Sequence, residues 1–519
     1  MKIKIFLIAI LAFLSSCKDQ LELVPITDIP EEFIFSNVEA LEPLVLAAYA
    51  PLRWEFISDI TGQDTYVLPF IYTDTRSDDI VVENYFFGGN KFHDFEAYEN
   101  MTPSNTMVRA VWTKFFSGVA RANEIIGGLS TVDEELLSPE VKAEFEAEAR
   151  FLRGYYYFEL VKNFGEVPIF DGVIDATQVE LLRRRSVEDV YAFIEEDFQF
   201  ASENLPETQG GETAFRATKG AALGFLAKSY LYQEKWQAAA DACSQVMDLG
   251  IYSLEVNYAD NWNMDNEFGV ESIFELNYDD QTAFVFNSNQ TSSLAAQLCS
   301  PSLTAPAGGW NYNLVTPELQ QAFSDEGDVI RRDASLIEEG TVFNSQVLAD
   351  AIQDPLPVGF TSNAAGINDP NGGTQYGVGY VFSRKYFLTP EEILATSGSI
   401  QHSPLNQKAM RYSDVLLILA EAVANGAGGD GQGAFDMVRE RVGLSTKSLS
   451  KENIKIERRL EFATEWSRFH DLVRWGDAYA EIEGFQTNRD ELLPIPFVEI
   501  QVTGVDESGA DILTQNPGY

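Results

Sequence analysis

The stretch 221–249, AALGFLAKSYLYQEKWQAAADACSQVMDL, decides the fold class. At 3.6 residues per turn Leu226, Ala227 and Tyr230 share one helical stripe, and Trp236, Ala239 and Cys243 share another. Small residues on such stripes let two helices approach, and the aromatics fill the gap between them. Cys243, set among alanines at helical spacing, reads as a buried free thiol. Asp248-Leu249-Gly250 is a stop signal.

Outward from this pair the same period recurs. Met107–Leu129, Val141–Phe164, Val187–Leu205, Lys219–Tyr232, Trp236–Leu249, Lys408–Ala424, Ala434–Val442 and Lys451–Trp466 all place apolar residues at i, i+3 and i+4. The small/aromatic rhythm of 221–249 resembles a tetratricopeptide-like hairpin, and a generic antiparallel helix pair fits that segment equally well. No strict 34-residue period runs through the chain, so a regular solenoid is not supported. Residues 58–104 and 277–318 mix Gly, Asn, Asp and aromatics, and 340–383 are rich in Gly, Asn and Pro. Loops this long are usually functional or disordered, and the aromatics favour ordered, ligand-facing loops. The expected fold class is mainly α with little β: a tetratricopeptide-like hairpin scaffold with loop-rich insertions around 58–104 and 277–383, in a single body over 31–519. The tail from Leu493 to Tyr519 is too rich in Pro and Gly for a helix and is expected to lie packed across that body.

The chain has 519 residues, with 36 Lys plus Arg against 80 Asp plus Glu and a formal net charge of −44. Such acidity repels phosphate backbones, so nucleic acid is not an expected partner. Three Cys exclude a disulfide framework, and three His nearly exclude a multi-His metal site. Met1-Lys2-Ile3-Lys4 followed by the apolar run Ile5–Leu14 reads as a secretory signal, too short to span a bilayer. Leu14-Ser15-Ser16-Cys17 resembles a bacterial lipobox, which makes 1–16 a signal peptide and Cys17 the acylated first residue of the mature chain. Residues 17–30, with two Pro and few aromatics, read as a tether.

Motifs for chemistry are weak. Gly426-Ala427-Gly428-Gly429-Asp430-Gly431 fits G-x-G-x-x-G, but a helix precedes it where the dinucleotide fingerprint needs a strand; it reads as a linker. Asp260–Glu267 is dense in oxygen ligands but lacks the Gly and final Glu of a calcium loop, and such clusters mostly make turns. No cofactor is expected. There is no G-x-S-x-G, H-E-x-x-H or P-loop, and His470 reads as structural. Glu457, Arg458, Arg459, Glu461, Glu465, Arg468, Asp471 and Arg474 read as a salt-bridge network tying helices together.

Several segments carry a closer resemblance. Arg150–Val161 with Gly165-Glu166-Val167-Pro168, Glu271–Glu275, Leu417–Ala422, Arg439–Gly443, Glu457–Phe462, Arg468–Gly476, Leu493–Pro496 and Gln515–Tyr519 resemble, in order, the signatures of the SusD/RagB family. Gly154 stands where family members more often carry Ala. The resemblance implies a non-enzymatic lipoprotein of the outer membrane facing outside. Such a protein captures oligosaccharide and delivers it, as a lid, to a TonB-dependent (SusC-like) transporter. Peptide capture, a purely structural lid and, less favoured, an extracellular glycoside hydrolase are the alternatives. Sugar rings need flat aromatics for stacking and planar groups for paired hydrogen bonds. Mapped onto this chain, the family's ligand loops give Asp78, Asn84, Tyr85 and Phe86, then Tyr278, Trp310, Asn311 and Tyr312. Trp310, beside Gly308-Gly309, is the leading candidate.

Overall fold

Helix starts are set by oxygen-bearing side chains that accept otherwise orphaned backbone N–H groups. Asn105 accepts from Met107 N at 2.9 Å, Ser138 from Val141 N at 3.4 Å and Ser186 from Asp189 N at 3.1 Å. Thr218 accepts from Ala221 N at 3.2 Å and Ser450 from Asn453 N at 3.2 Å. Each such cap contributes about 1 kcal/mol. The computed structural model describes residues 35, 38–58, 64–82, 89–173, 178–280, 291–299, 312–338, 341, 381–396 and 400–519. The signal 1–16 and the tether 17–30 with Cys17 lie outside these residues.

The helices used below are α1 (Val38–Tyr49), α2 (Gly89–Glu96), α3 (Thr106–Leu129), α4 (Pro139–Phe164) and α5 (Val187–Asn204). They continue with α6 (Lys219–Tyr232), α7 (Trp236–Asp248), α8 (Ala295–Cys299), α9 (Val329–Ser335) and α10 (Tyr412–Ala424). The last are α11 (Gly431–Arg441), α12 (Lys451–Glu461), α13 (Arg468–Trp475) and α14 (Phe497–Thr503). Helices α3 to α7 pack each on the next, and α7 packs on α10, which carries α11 and α12. The scaffold of tetratricopeptide-like hairpins therefore resumes after an interruption from 249 to 411.

Most of α4 is buried around its whole circumference, including Phe151, Leu152, Tyr156, Tyr157, Phe158 and Leu160, as expected of a core helix. Polar groups pin it to its neighbours. Arg153 makes a two-point contact with Asp197 at 2.8 Å and donates to Asn123 at 2.7 Å. Arg216 grips Glu148, which also accepts from Tyr49 Oη at 2.8 Å. A Cβ on Gly154 would stand 3.0 Å from the Phe198 ring, so the glycine sets the close approach of α4 and α5.

The strands are β1 (Phe56–Ser58), β2 (Asp64–Tyr66), β3 (Ile80–Val81), β4 (Ser272–Leu276), β5 (Leu314–Val315), β6 (Leu336–Ile337), β7 (Val381–Ser383) and β8 (Gln407–Arg411). β1 pairs with β2, and β4 with β8, while β3-β5-β7-β6 form an antiparallel sheet. The β4–β8 pair closes the interruption, since it sets Ser272 opposite Arg411 at the entry to α10.

Three expectations change. Lys408–Arg411 is strand, not helix: Arg411 is extended (φ −115°, ψ 160°) and the helix begins at Tyr412. The segment expected as one helix over Lys451–Trp466 stops at Glu461, and Thr464 and Trp466 take left-handed backbone at φ 62° and 67°. The tail does hold a helix, α14, which starts directly after Pro496. It otherwise lies across the body as expected: Asn516 Nδ2 donates to Phe164 O at 3.0 Å and Leu493 O at 2.7 Å. Gly426–Gly431 links α10 to α11, and Cys243 is a buried free thiol. The Asp260–Glu267 stretch forms tight turns, with Asn257 Nδ2 donating to Asp260 at 2.8 Å and Asn263 accepting from Asp265 N at 3.0 Å.

Candidate functional site

The register of the four-stranded sheet decides what can meet. Ile80 faces Val315 and Val81 faces Leu314. The chain just after Val81 and the chain just before Leu314 therefore leave the same end of the sheet. The first leads toward Asn84, Tyr85 and Phe86, the second back toward Trp310 and Asn311. These five candidates lie outside the described residues, but both segments have fixed roots. Tyr312 N donates to Leu298 O at 2.8 Å, and Asn313 Nδ2 reaches Cys299 Sγ at 3.5 Å. The two ends of 300–311 are thus stapled at α8. Phe92 of α2 stands 4.7 Å, centroid to centroid, from the Tyr312 ring. That contact joins the root of 83–88 to the root of 300–311.

The three candidates within the described residues have other work. Tyr312 is fully buried, so its ring face belongs to the core and not to a ligand. Tyr278 is buried as well, with its N–H donating to Asn406 Oδ1 at 2.8 Å. Asp78 is gripped by Arg468 at 2.8 and 2.9 Å and by Arg459 at 3.0 Å. Its carbonyl accepts from Thr316 Oγ1 at 2.9 Å, which ties β3 and β5 to the α12–α13 corner. Tyr278 and Tyr312 are thus core residues rather than open ring faces, and Asp78 is held by two arginines. Burial also keeps Asp74 close to neutral, pushing its carboxyl up to about 8 even though Trp466 N and Arg468 N donate to it at 2.8 and 3.1 Å.

Behind the sheet lies the ion-pair network foreseen from residues 457–474. Glu461 accepts from Arg411 at 2.8 Å, from Arg441 at 2.6 Å on both oxygens, and from Arg331 at 3.0 Å. Arg411 also reaches Glu271 at 2.5 Å and Glu465 at 2.7 and 2.8 Å. Arg458 bridges Asp414 and Asp471, and Arg474 joins Asp471 to Glu421. Burial works against the Glu461 charge, yet the three guanidiniums hold its carboxyl well below the usual range. Lys228 and Arg458 lower Asp414 in the same way. His470 is buried and its imidazole is kept neutral by desolvation, with Lys162, Arg76 and Lys228 nearby. Among the described residues no group of three or more His, Cys, Asp or Glu is placed to hold a metal ion, and no helix is long and apolar enough to cross a membrane.

Sequence reading did not find the residues that root the loops. Phe92, Leu298 and Asn313 carry no motif, and the only sequence signal is the apolar character of Phe92 and Leu298.

Known proteins share this fold. A family model described as "Starch-binding associating with outer membrane" matches residues 61–231, and one described as "SusD family" matches 270–491. A SusD-like protein of Formosa agariphila is 26% identical, covering 94% of this chain and 94% of its own. A solved laminarin-binding SusD-like protein is 27% identical with a TM-score of 0.75, covering 93% of this chain and 100% of the other. Surface glycan-binding protein A from Bacteroides thetaiotaomicron, in complex with laminarihexaose, is 25% identical with a TM-score of 0.74 and the same coverage. The two family models between them take in both the helical half and the interrupted half, and the chain belongs to the SusD/RagB family.

Proposed function

We propose that this protein captures oligosaccharide at the sheet end where 83–88 and 300–311 are rooted. It then passes the glycan to a TonB-dependent outer-membrane transporter, on which it sits as a lid. One observation carries the reading: the β3–β5 register brings two aromatic-bearing segments, more than 200 residues apart in sequence, to one edge over a braced support. In this reading Trp310 supplies the stacking face, Tyr85 and Phe86 are the further aromatic contacts, and Asn84 and Asn311 offer planar amides to hydroxyl pairs. A sugar–aromatic stack contributes about 1 kcal/mol beyond burial, so capture is weak and exchange fast, which suits handing a ligand onward. The relatives named for laminarin and glycan binding support a carbohydrate ligand. Binding without turnover is supported by the arginines that occupy the central carboxylates, such as Glu461.

Trp310→Ala is expected to lose retention in affinity gels over a panel of glycans while keeping its thermal transition. Unchanged retention of a glycan that the wild type binds rejects the role of Trp310. Release of product from any panel glycan by the purified protein contradicts the non-enzymatic reading.

Acylation of Cys17 anchors the chain in this account. Each buried acyl CH₂ contributes about 0.8 kcal/mol, so several chains make a lasting hold. Cys17→Ala, expressed without its transporter, is expected to leave the membrane fraction. Cofractionation with outer membranes would show that something other than lipid holds it.

A further inference from the structure

A cleft of about 650 Å³ lies among Asn257, Trp262, Asp333, Arg384, Phe387 and Glu391. Its size is that of pockets that take small ligands. It opens where α9 runs into β6 and where β7 leaves the sheet. Arg384 N donates to Ser335 O at 2.8 Å, and Arg384 Nη1 donates to Asp333 O at 2.9 Å. β6 pairs with β7, and β7 with β5, so this is the same end of the sheet from which 83–88 and 300–311 depart. With strands about 4.8 Å apart, the cleft begins one or two strand spacings from the roots of those segments.

The lining suits a sugar. Trp262 is held in place by the Tyr258 ring at 4.9 Å and by the Lys385 ammonium 4.3 Å from its centroid. An aromatic ordered in advance loses little freedom on binding. Arg384, Asp333 and Asn257 bring planar hydrogen-bonding groups to the same space, the geometry that vicinal hydroxyls accept. The charge balance is acidic. Asp333, Glu391 and Glu392 line the cleft against Arg384, while the Lys385 ammonium is buried in bonds to Glu465 and Tyr258 Oη, each 2.7 Å long. Such a lining repels sulfated and uronic glycans and admits neutral ones.

We propose that this cleft is a second carbohydrate subsite, which takes neutral sugar rings of the same chain that the Trp310 segment holds. The inference rests on the glycan-binding reading above and adds to it a length and a charge preference.

The test compares long and short probes. Ala259 lines the cleft and is exposed, so Ala259→Trp fills it without disturbing the core. Phe387→Ala removes an aromatic wall. Laminarihexaose and maltohexaose, with their trisaccharides, are titrated calorimetrically into wild type and both variants. Both variants are expected to bind the hexasaccharide that wild type prefers about tenfold more weakly, the loss of one stacking contact, with trisaccharide binding and thermal transition unchanged. Unchanged hexasaccharide affinity in both folded variants overturns the second subsite and leaves the Trp310 reading standing. Equal losses for long and short probes overturn it as well, since they describe one site. A wild type that binds none of the four probes and no glycan of the affinity-gel panel overturns the glycan reading and this inference with it.

Discussion

Glu461→Gln is expected to cost the folded state about 3–5 kcal/mol, the range for breaking a buried ion pair by removing one partner. The glutamine fits the same space, so the loss is electrostatic. Arg331, Arg411 and Arg441, none more than 3% exposed at the side chain, then share their remaining acids, with no carboxylate at the centre. Those three arginines come from α9, from β8 and from α11, while Glu461 ends α12. One substitution therefore loosens the interrupted part from the scaffold at several points. The measurement is urea unfolding followed by far-ultraviolet circular dichroism. A midpoint equal to wild type would show that the network contributes nothing net. The pH dependence carries the same signature. Glu461, Asp414 and Asp471 have folded pKa values below their unfolded ones. Their stabilisation is present above the unfolded carboxylate range of roughly 4 and is lost as pH falls below it. Asp74 and Glu267, raised to about 8 and about 7, act with the opposite sign: their contribution is full below the unfolded range and is lost as pH rises toward 7 and 8. Stability is therefore greatest in mildly acidic solution, and Glu461→Gln flattens only the acid limb.

Gly118→Ala is expected to destabilise by about 1–2 kcal/mol, although alanine is the better helix former by up to about 1 kcal/mol. The added Cβ would stand 2.3 to 2.5 Å from three ring atoms of Tyr156. That ring cannot swing away. It is fully buried, and its hydroxyl donates to Ala48 O of α1 at 2.6 Å. The clash must therefore separate α3 from α4 or break the bond to α1, an overpacking cost of about 1–3 kcal/mol or more. Gly127 is the internal control. It lies in the same helix, is exposed, and a Cβ there meets nothing within 4 Å, so Gly127→Ala is expected to stabilise. Thermal melts of the two variants should move in opposite directions. Equal upward shifts would mean that Tyr156 does not pack on Gly118.

What could be read from the sequence follows from how local each signal is. Lys219–Tyr232 is a helix over the range its period predicts, because the Thr218 cap lies beside it. The start of α10 was misplaced because β8 needs β4 to exist, and Ser272 is 139 positions before Arg411. The tail helix was missed because Pro496 reads as a breaker, whereas proline is equally at home where a helix begins. At the site, Tyr278 and Tyr312 show the limit of composition: an aromatic near glycine and asparagine reads alike whether it faces solvent or core. Asp78 enters the ligand set through the resemblance alone, and nothing local signals its partner Arg468, which lies 390 residues further along. The resemblance pointed to segments that adjoin strands β3 and β5, but which residues there are buried as supports is a property of packing.

The most direct measurement is hydrogen exchange by mass spectrometry, with and without the hexasaccharide bound most tightly in the calorimetric titrations. The account predicts slowed exchange in peptides covering 80–95 and 298–315, with α3 to α7 unchanged. Protection confined to α3–α7, with none at the two segments rooted on β3 and β5, would contradict it.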